Sequence, residues 1–104
     1  MLNTIVTTPR FERKIDLLDN RLSHLFIEKL KKLETDNLSS IFEQSEKLNG
    51  FSETHLWITR ISNDYRLIFR IADKNEIELI DIVSRHVLSK FGKERKGNER
   101  IQQI

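Results

Sequence analysis

The stretch that decides the reading is His55-Leu-Trp-Ile-Thr-Arg60-Ile-Ser-Asn-Asp-Tyr65-Arg-Leu-Ile-Phe-Arg70-Ile-Ala-Asp-Lys-Asn75-Glu-Ile-Glu-Leu-Ile80-Asp-Ile-Val-Ser-Arg85-His86. Its β-branched, aromatic and aliphatic residues fall into three runs, His55–Ser62, Tyr65–Ala72 and Glu76–Ser84. Between them lie Ser62-Asn63-Asp64 and Asp73-Lys74-Asn75, residue types that tolerate turn geometry. Three strands with turns this short are antiparallel neighbours, because a parallel crossover takes about a dozen residues or more. The meander carries Arg60, Arg66, Arg70, Arg85 and His86. A sheet with cations at such intervals has a wet face or holds an anion.

Outward from this meander, composition bounds the chain. Its 104 residues, 38% hydrophobic and 33% charged, suit one soluble globular domain spanning residues 1–104. Cysteine is absent, which excludes a disulfide framework or thiolate metal site and fits a cytoplasmic location. No apolar run reaches the length of a membrane span, and the first residues lack the apolar core of a signal peptide. The formal charge is only +2. The cations gather toward the end, however: Arg85, Lys90, Lys93, Arg95, Lys96 and Arg100 face only Glu94 and Glu99. This is either a polyanion footprint or a solvated basic helix, Val87 to Lys96, followed by a frayed tail at about residues 97–104.

Before the meander the pattern is helical. A short strand is expected over Asn3–Thr8, with Thr8 as N-cap and Pro9 in the first turn of a helix. Phe11, Ile15 and Leu18 form one apolar stripe, and Leu22, Leu25, Phe26, Leu30 and Leu33 a second. Asp19-Asn20 breaks them into an αα-hairpin, and Thr35-Asp36-Asn37 ends the second helix. Leu38 to Leu48 has room for a short third helix. The expected class is α+β, with the helices packed on one side of a four-stranded sheet. Which sheet face they cover stays open. Ile58, Leu67, Phe69, Ile71, Leu79 and Val83 form one apolar set, and Trp57, Ile61, Ile68, Ile80 and Ile82 another.

This order of elements, together with Trp57-x-x-Arg60-Ile61-x-x-x-Tyr65-Arg66-Leu67-Ile68-Phe69, resembles the RelE/ParE toxin superfamily of bacterial type II toxin–antitoxin systems, and within it the YoeB branch. The resemblance runs from the first strand to about Phe91. It implies a ribosome-dependent mRNA endonuclease (an mRNA interferase) neutralised by a cognate antitoxin. Its partners would be that antitoxin, the ribosome and mRNA, and its assemblies a homodimer or a toxin–antitoxin hetero-oligomer. Other branches of the superfamily inhibit DNA gyrase, so a ParE-like toxin or an inactive binding module of the same fold is the alternative. A small nucleic-acid-binding protein without toxicity is a third reading.

By position, Arg66 matches the family's arginine at the scissile phosphate, and Arg60 a basic residue of the preceding strand. Glu46 falls near the general base of the YoeB branch. Arg85 and His86 fall at a cation and a histidine acid. Trp57 and Lys90 are further candidates for contact with RNA. Phe91 stands where RelE-type enzymes have a tyrosine, and His86-Val87 where YoeB-type chains end in His-Tyr. Cleavage by 2′-OH attack needs a base, cations for the developing phosphorane charge and an acid for the leaving oxygen, with no metal and no cofactor. Glu46, Arg66 with Arg60, and His86 have those chemical types. Each also has an ordinary reading. Arg66 could pair with Glu78 or Asp81 across the sheet, Glu46 could be a solvated loop carboxylate, and His86 could cap a helix. Turn length discriminates: a two-residue turn at Asn63-Asp64 puts Arg60 and Arg66 on opposite faces, and a three-residue turn puts them on one.

Overall fold

The structure is a computed structural model that describes residues 2–48 and 55–88. Lys90, Phe91, most of the expected basic helix and the 97–104 tail lie outside the described residues. The elements are β1 (Thr4–Val6), α1 (Pro9–Asp16), α2 (Asn20–Thr35), α3 (Leu38–Glu43), β2 (Ser45–Lys47), β3 (Leu56–Arg60), β4 (Tyr65–Asp73) and β5 (Glu76–Ser84). Residues 85–88 then turn helical. Among the described residues no helix is long and apolar enough to cross a membrane.

Local chemistry sets the helix ends. Thr8 accepts a hydrogen bond from the Phe11 N–H with Pro9 beside it, Asp19 accepts from Leu22, and Asn37 from Ser40. Each cap satisfies one backbone donor that the helix leaves open. The strands form one mixed sheet in the order β1-β5-β4-β3-β2, five strands among the described residues where the sequence suggested four. The added strand is β2, whose three residues are too few to show a periodicity and which follows α3 through Gln44 alone. The β2, β3, β4 and β5 pairings are antiparallel, as turn length required, whereas β1 returns parallel to β5.

The helices cover one face. Its centre is Leu67 and Phe69 of β4 with Ile77, Leu79 and Ile82 of β5, packed under Phe11 of α1 and Leu22, Phe26 and Leu33 of α2. This face draws on both apolar sets. Phe69 pairs with Leu79 but Ile68 pairs with Asp81, so Ile80 is an extra residue in β5. That bulge shifts the alternation by one, which lets Leu79 and Ile82 point to the same side. Trp57 of β3 and Ile61 just after it also lie on the helix side, Trp57 tilted against Phe42 with ring centroids 4.5 Å apart.

Asn3 ties the first strand to the end of α2. It is buried, and its Nδ2 donates to the Leu33 carbonyl (2.7 Å) and the Asp36 carbonyl (2.8 Å). Leu2 and Asn3 also donate their backbone N–H groups to the Glu34 carbonyl. Asn3→Ala strands the two carbonyls it now satisfies. It should lower stability by about 1–3 kcal/mol, read as a fall in the urea midpoint at unchanged slope; an unchanged midpoint would refute this role.

Candidate functional site

The face away from the helices holds the site. In the β3–β4 hairpin Arg60 pairs directly with Arg66 and Thr59 with Leu67. The turn between them is therefore Ser62-Asn63-Asp64, three residues long, and it closes through the Ile61 N–H to the Tyr65 carbonyl at 3.1 Å. Residues 60 and 66 thus share a face, opposite to the buried 59 and 67. The edge strand β2 adds Glu46 to that face, paired with Ile58, two residues from Arg60. Glu46, Arg60, Arg66 and Arg85 line one open concavity of ≈ 430 Å³, floored by Ile58 and rimmed by Leu48 and Leu88.

The turn anchors all three arginines. Arg66 Nη1 donates to the carbonyls of Ser62 (2.7 Å), Tyr65 (3.1 Å) and Asn63 (3.3 Å). Arg60 donates to the Asn63 side-chain oxygen. The Arg85 backbone N–H donates to the Asp64 carbonyl at 2.6 Å, which brings the end of β5 over the turn. The Ser62 hydroxyl accepts from Asp64 and Tyr65 and shapes the loop.

The carboxylates expected to neutralise Arg66 across the sheet are engaged elsewhere. Glu78 pairs with Arg70, and Asp81 pairs with Lys14 of α1. Arg66 has no carboxylate at ion-pair distance among the described residues. Its Nη1 is held by the turn, while its Nε and Nη2 donors make no bond among the described residues. That edge of a guanidinium is a fork suited to two oxygens of one phosphate. Partial burial, followed by Arg60 and Arg85, holds Arg66 below the usual arginine range, with Glu46 and Asp64 acting the other way. A bound anion would relieve that repulsion.

The other sequence candidates are placed differently. His86 is exposed and lines an adjoining recess with Asp64, Tyr65 and Ser84, joined to the concavity through Arg85. Trp57 is on the helix side of the sheet, against Phe42, so its indole is separated from the concavity by the sheet itself. Lys90 lies outside the described residues. Sequence reasoning missed Asn63, the hydrogen-bonding partner of Arg60, and Gln44, which also lines the concavity. The length of the Ser62–Asp64 turn was the signal for the first; Gln44 had none.

No family model matches the sequence, and neither does any curated relative. Solved structures do match. The archaeal RelE–RelB complex from Pyrococcus horikoshii OT3 aligns with a TM-score of 0.64 at 20% identity, over 82% of this chain and 97% of that one. The chain has the RelE/YoeB toxin fold. The toxin–antitoxin complex RelBE2 from Mycobacterium tuberculosis gives a TM-score of 0.63 at 19% identity, covering 82% of this chain and all of the other (100%). The YoeB–YefM complex from Staphylococcus aureus gives 0.61 at 20%, covering 78% and 94%. On this RelE/YoeB-type scaffold the arginine cluster sits on the sheet face opposite the helices.

The cluster should bind oxyanions. Sulfate at low ionic strength should raise the melting temperature of the wild-type chain, with Arg66→Ala abolishing the rise. Asn63→Ala, which frees Arg60 alone, should retain part of it. An equal rise in all three chains would show that the effect is nonspecific.

Proposed function

We propose that the protein is the toxin of a type II toxin–antitoxin system and cleaves mRNA on the ribosome. The observation that carries this reading is the concavity itself: three turn-anchored arginines without carboxylate partners among the described residues, facing one carboxylate, Glu46. The fold shared with RelE and YoeB supports the same reading.

The chemistry follows from the groups present. The scissile phosphate lies on the open edge of Arg66, with Arg60 and Arg85 beside it. Glu46 takes the proton of the adjacent 2′-hydroxyl as its oxygen attacks phosphorus. A 2′,3′-cyclic phosphate forms, the bond from phosphorus to the 5′-oxygen breaks, and that oxygen takes up a proton. The arginines stabilise the charge that accumulates on the equatorial oxygens, a contribution of about 10²–10³ in rate for one well-placed donor. His86 is the titratable side chain beside Arg85 and the candidate acid, reached from the adjoining recess.

The partner is a separate antitoxin chain. The RelE and YoeB neighbours were both solved as complexes, with RelB and YefM respectively. Here an extended acidic segment of the antitoxin would cover the arginine face, and action on ribosomes would place the free toxin in the cytoplasm.

A gyrase-directed or non-catalytic role on the same scaffold is the second reading. It is favoured by Phe91 in place of a tyrosine and by His86 lying outside the arginine concavity. Primer extension on a reporter mRNA after induction separates the two. The nuclease reading expects new codon-linked 5′ ends, reduced about 10²-fold or more by Arg66→Ala and Glu46→Gln, and His86→Gln reports whether imidazole supplies the last proton. Intact mRNA with growth arrest and a DNA-damage response would favour the gyrase reading instead.

A further inference from the structure

The arginine concavity does not end at the edge of the sheet. Gln44 and Arg60 line it, and the same two residues line a second recess of ≈ 370 Å³ on the helix side, shared with Lys29 and Lys32 of α2. Arg60 therefore serves two recesses that adjoin around the β2–β3 end of the sheet. The remaining lining of the second is Leu25, Ile61 and Glu28.

Lys29 is fixed in place. It is half-buried, and its Nζ lies 3.2 Å from the hydroxyl of buried Thr59, which in turn donates to the Gln44 carbonyl at 3.4 Å. Neither Lys29 nor Lys32 forms an ion pair among the described residues. Glu28 is spaced to reach Lys32 along the helix, yet no ion pair joins them. Burial, and then Lys32, hold Lys29 below the usual lysine range, with Asp36 acting the other way. The recess thus gathers Lys29, Lys32 and Arg60 against one acidic side chain, and it opens beside the concavity rather than on a remote surface.

We propose that Lys29 and Lys32 form a second phosphate subsite, which holds the RNA strand where it leaves the arginine concavity and passes around the sheet edge beside Arg60. This rests on the nucleic-acid reading of the concavity. A single strand suits the place better than a duplex, because the path bends from one sheet face to the other. Lysines serve such a position, since a point charge holds backbone without selecting a base. The subsite adds affinity in proportion to strand length and leaves the chemistry at Arg66 untouched.

The test uses 2′-O-methyl oligoribonucleotides, which cannot be cleaved, of three and nine residues, titrated into the full chain at several salt concentrations. The expected result is that the nonamer binds about tenfold more tightly than the trimer at low salt. Lys29→Gln/Lys32→Gln should remove that gain, lower the salt slope by about 1–2, and leave the trimer unchanged. Lys31→Gln is the control, matched in charge to the single Lys32→Gln variant: Lys31 is exposed on the same helix and does not line the recess. If the double variant does not fold, exposed Lys32→Gln alone carries the test.

Equal losses in the Lys31 control, or a nonamer affinity unchanged in the double variant, overturn the subsite. Two trimers bound per chain with no gain from length would assign it to a separate strand and overturn the continuous path. Lysine-dependent binding of a decaglutamate peptide but not of the nonamer would assign the recess to an acidic protein segment. Failure of the underlying reading looks different: Arg66→Ala would then leave binding of both oligonucleotides unchanged.

Discussion

A three-residue turn holds the molecule's chemistry in place. Like charges directly opposite across two strands repel, and Arg60 and Arg66 are such a pair. Ser62-Asn63-Asp64 makes the pairing tolerable by offering oxygens to both. Backbone carbonyls take the Nη1 side of Arg66, the Asn63 side chain takes Arg60, and the Asp64 carbonyl draws in the backbone of Arg85. These acceptors are neutral. They orient the cations without cancelling their charge, so the positive potential stays available to a ligand.

The rest of the sheet keeps it so. Potential carboxylate partners sit on neighbouring strand positions, but Glu78 is taken by Arg70 and Asp81 by Lys14. The Lys14–Asp81 pair depends on α1 packing against β5, and Asp81 sits at the bulge where Ile80 is the extra residue. The bulge therefore has two consequences. It keeps Ile82 in the core with Leu79, and it lies where an acid is held by a helix rather than by the arginine cluster. Core packing and site electrostatics meet at one irregularity of β5.

The fold alone does not decide the reaction. Structures that align over four-fifths of the chain do so at about one residue in five identical, which establishes a shared backbone and not a shared mechanism. The local arrangement in this chain is a carboxylate on an edge strand, three arginines around a turn, and an imidazole one recess away. The helix side contributes its own cations next to Arg60, so the charge of the site wraps around the sheet edge.

Much of this was legible in the residues. The three antiparallel strands followed from two polar breaks, the hairpin helices from two apolar stripes, and the Thr8-Pro9 cap from residue types alone, because each depends on neighbours a few positions apart. Four of the candidate side chains named from the sequence, Glu46, Arg60, Arg66 and Arg85, do line one concavity. The sequence could not determine the face of each strand. Both apolar sets were available, and the choice turned on a three-residue rather than two-residue turn and on one extra residue in β5, each of which reverses the side chains beyond it. Nor could it reveal β2, whose three residues gain their place by pairing with β3, or that Trp57 would join the helices and His86 stand aside from the arginines. Those outcomes depend on contacts between residues distant in the chain, and only the packed structure decides them.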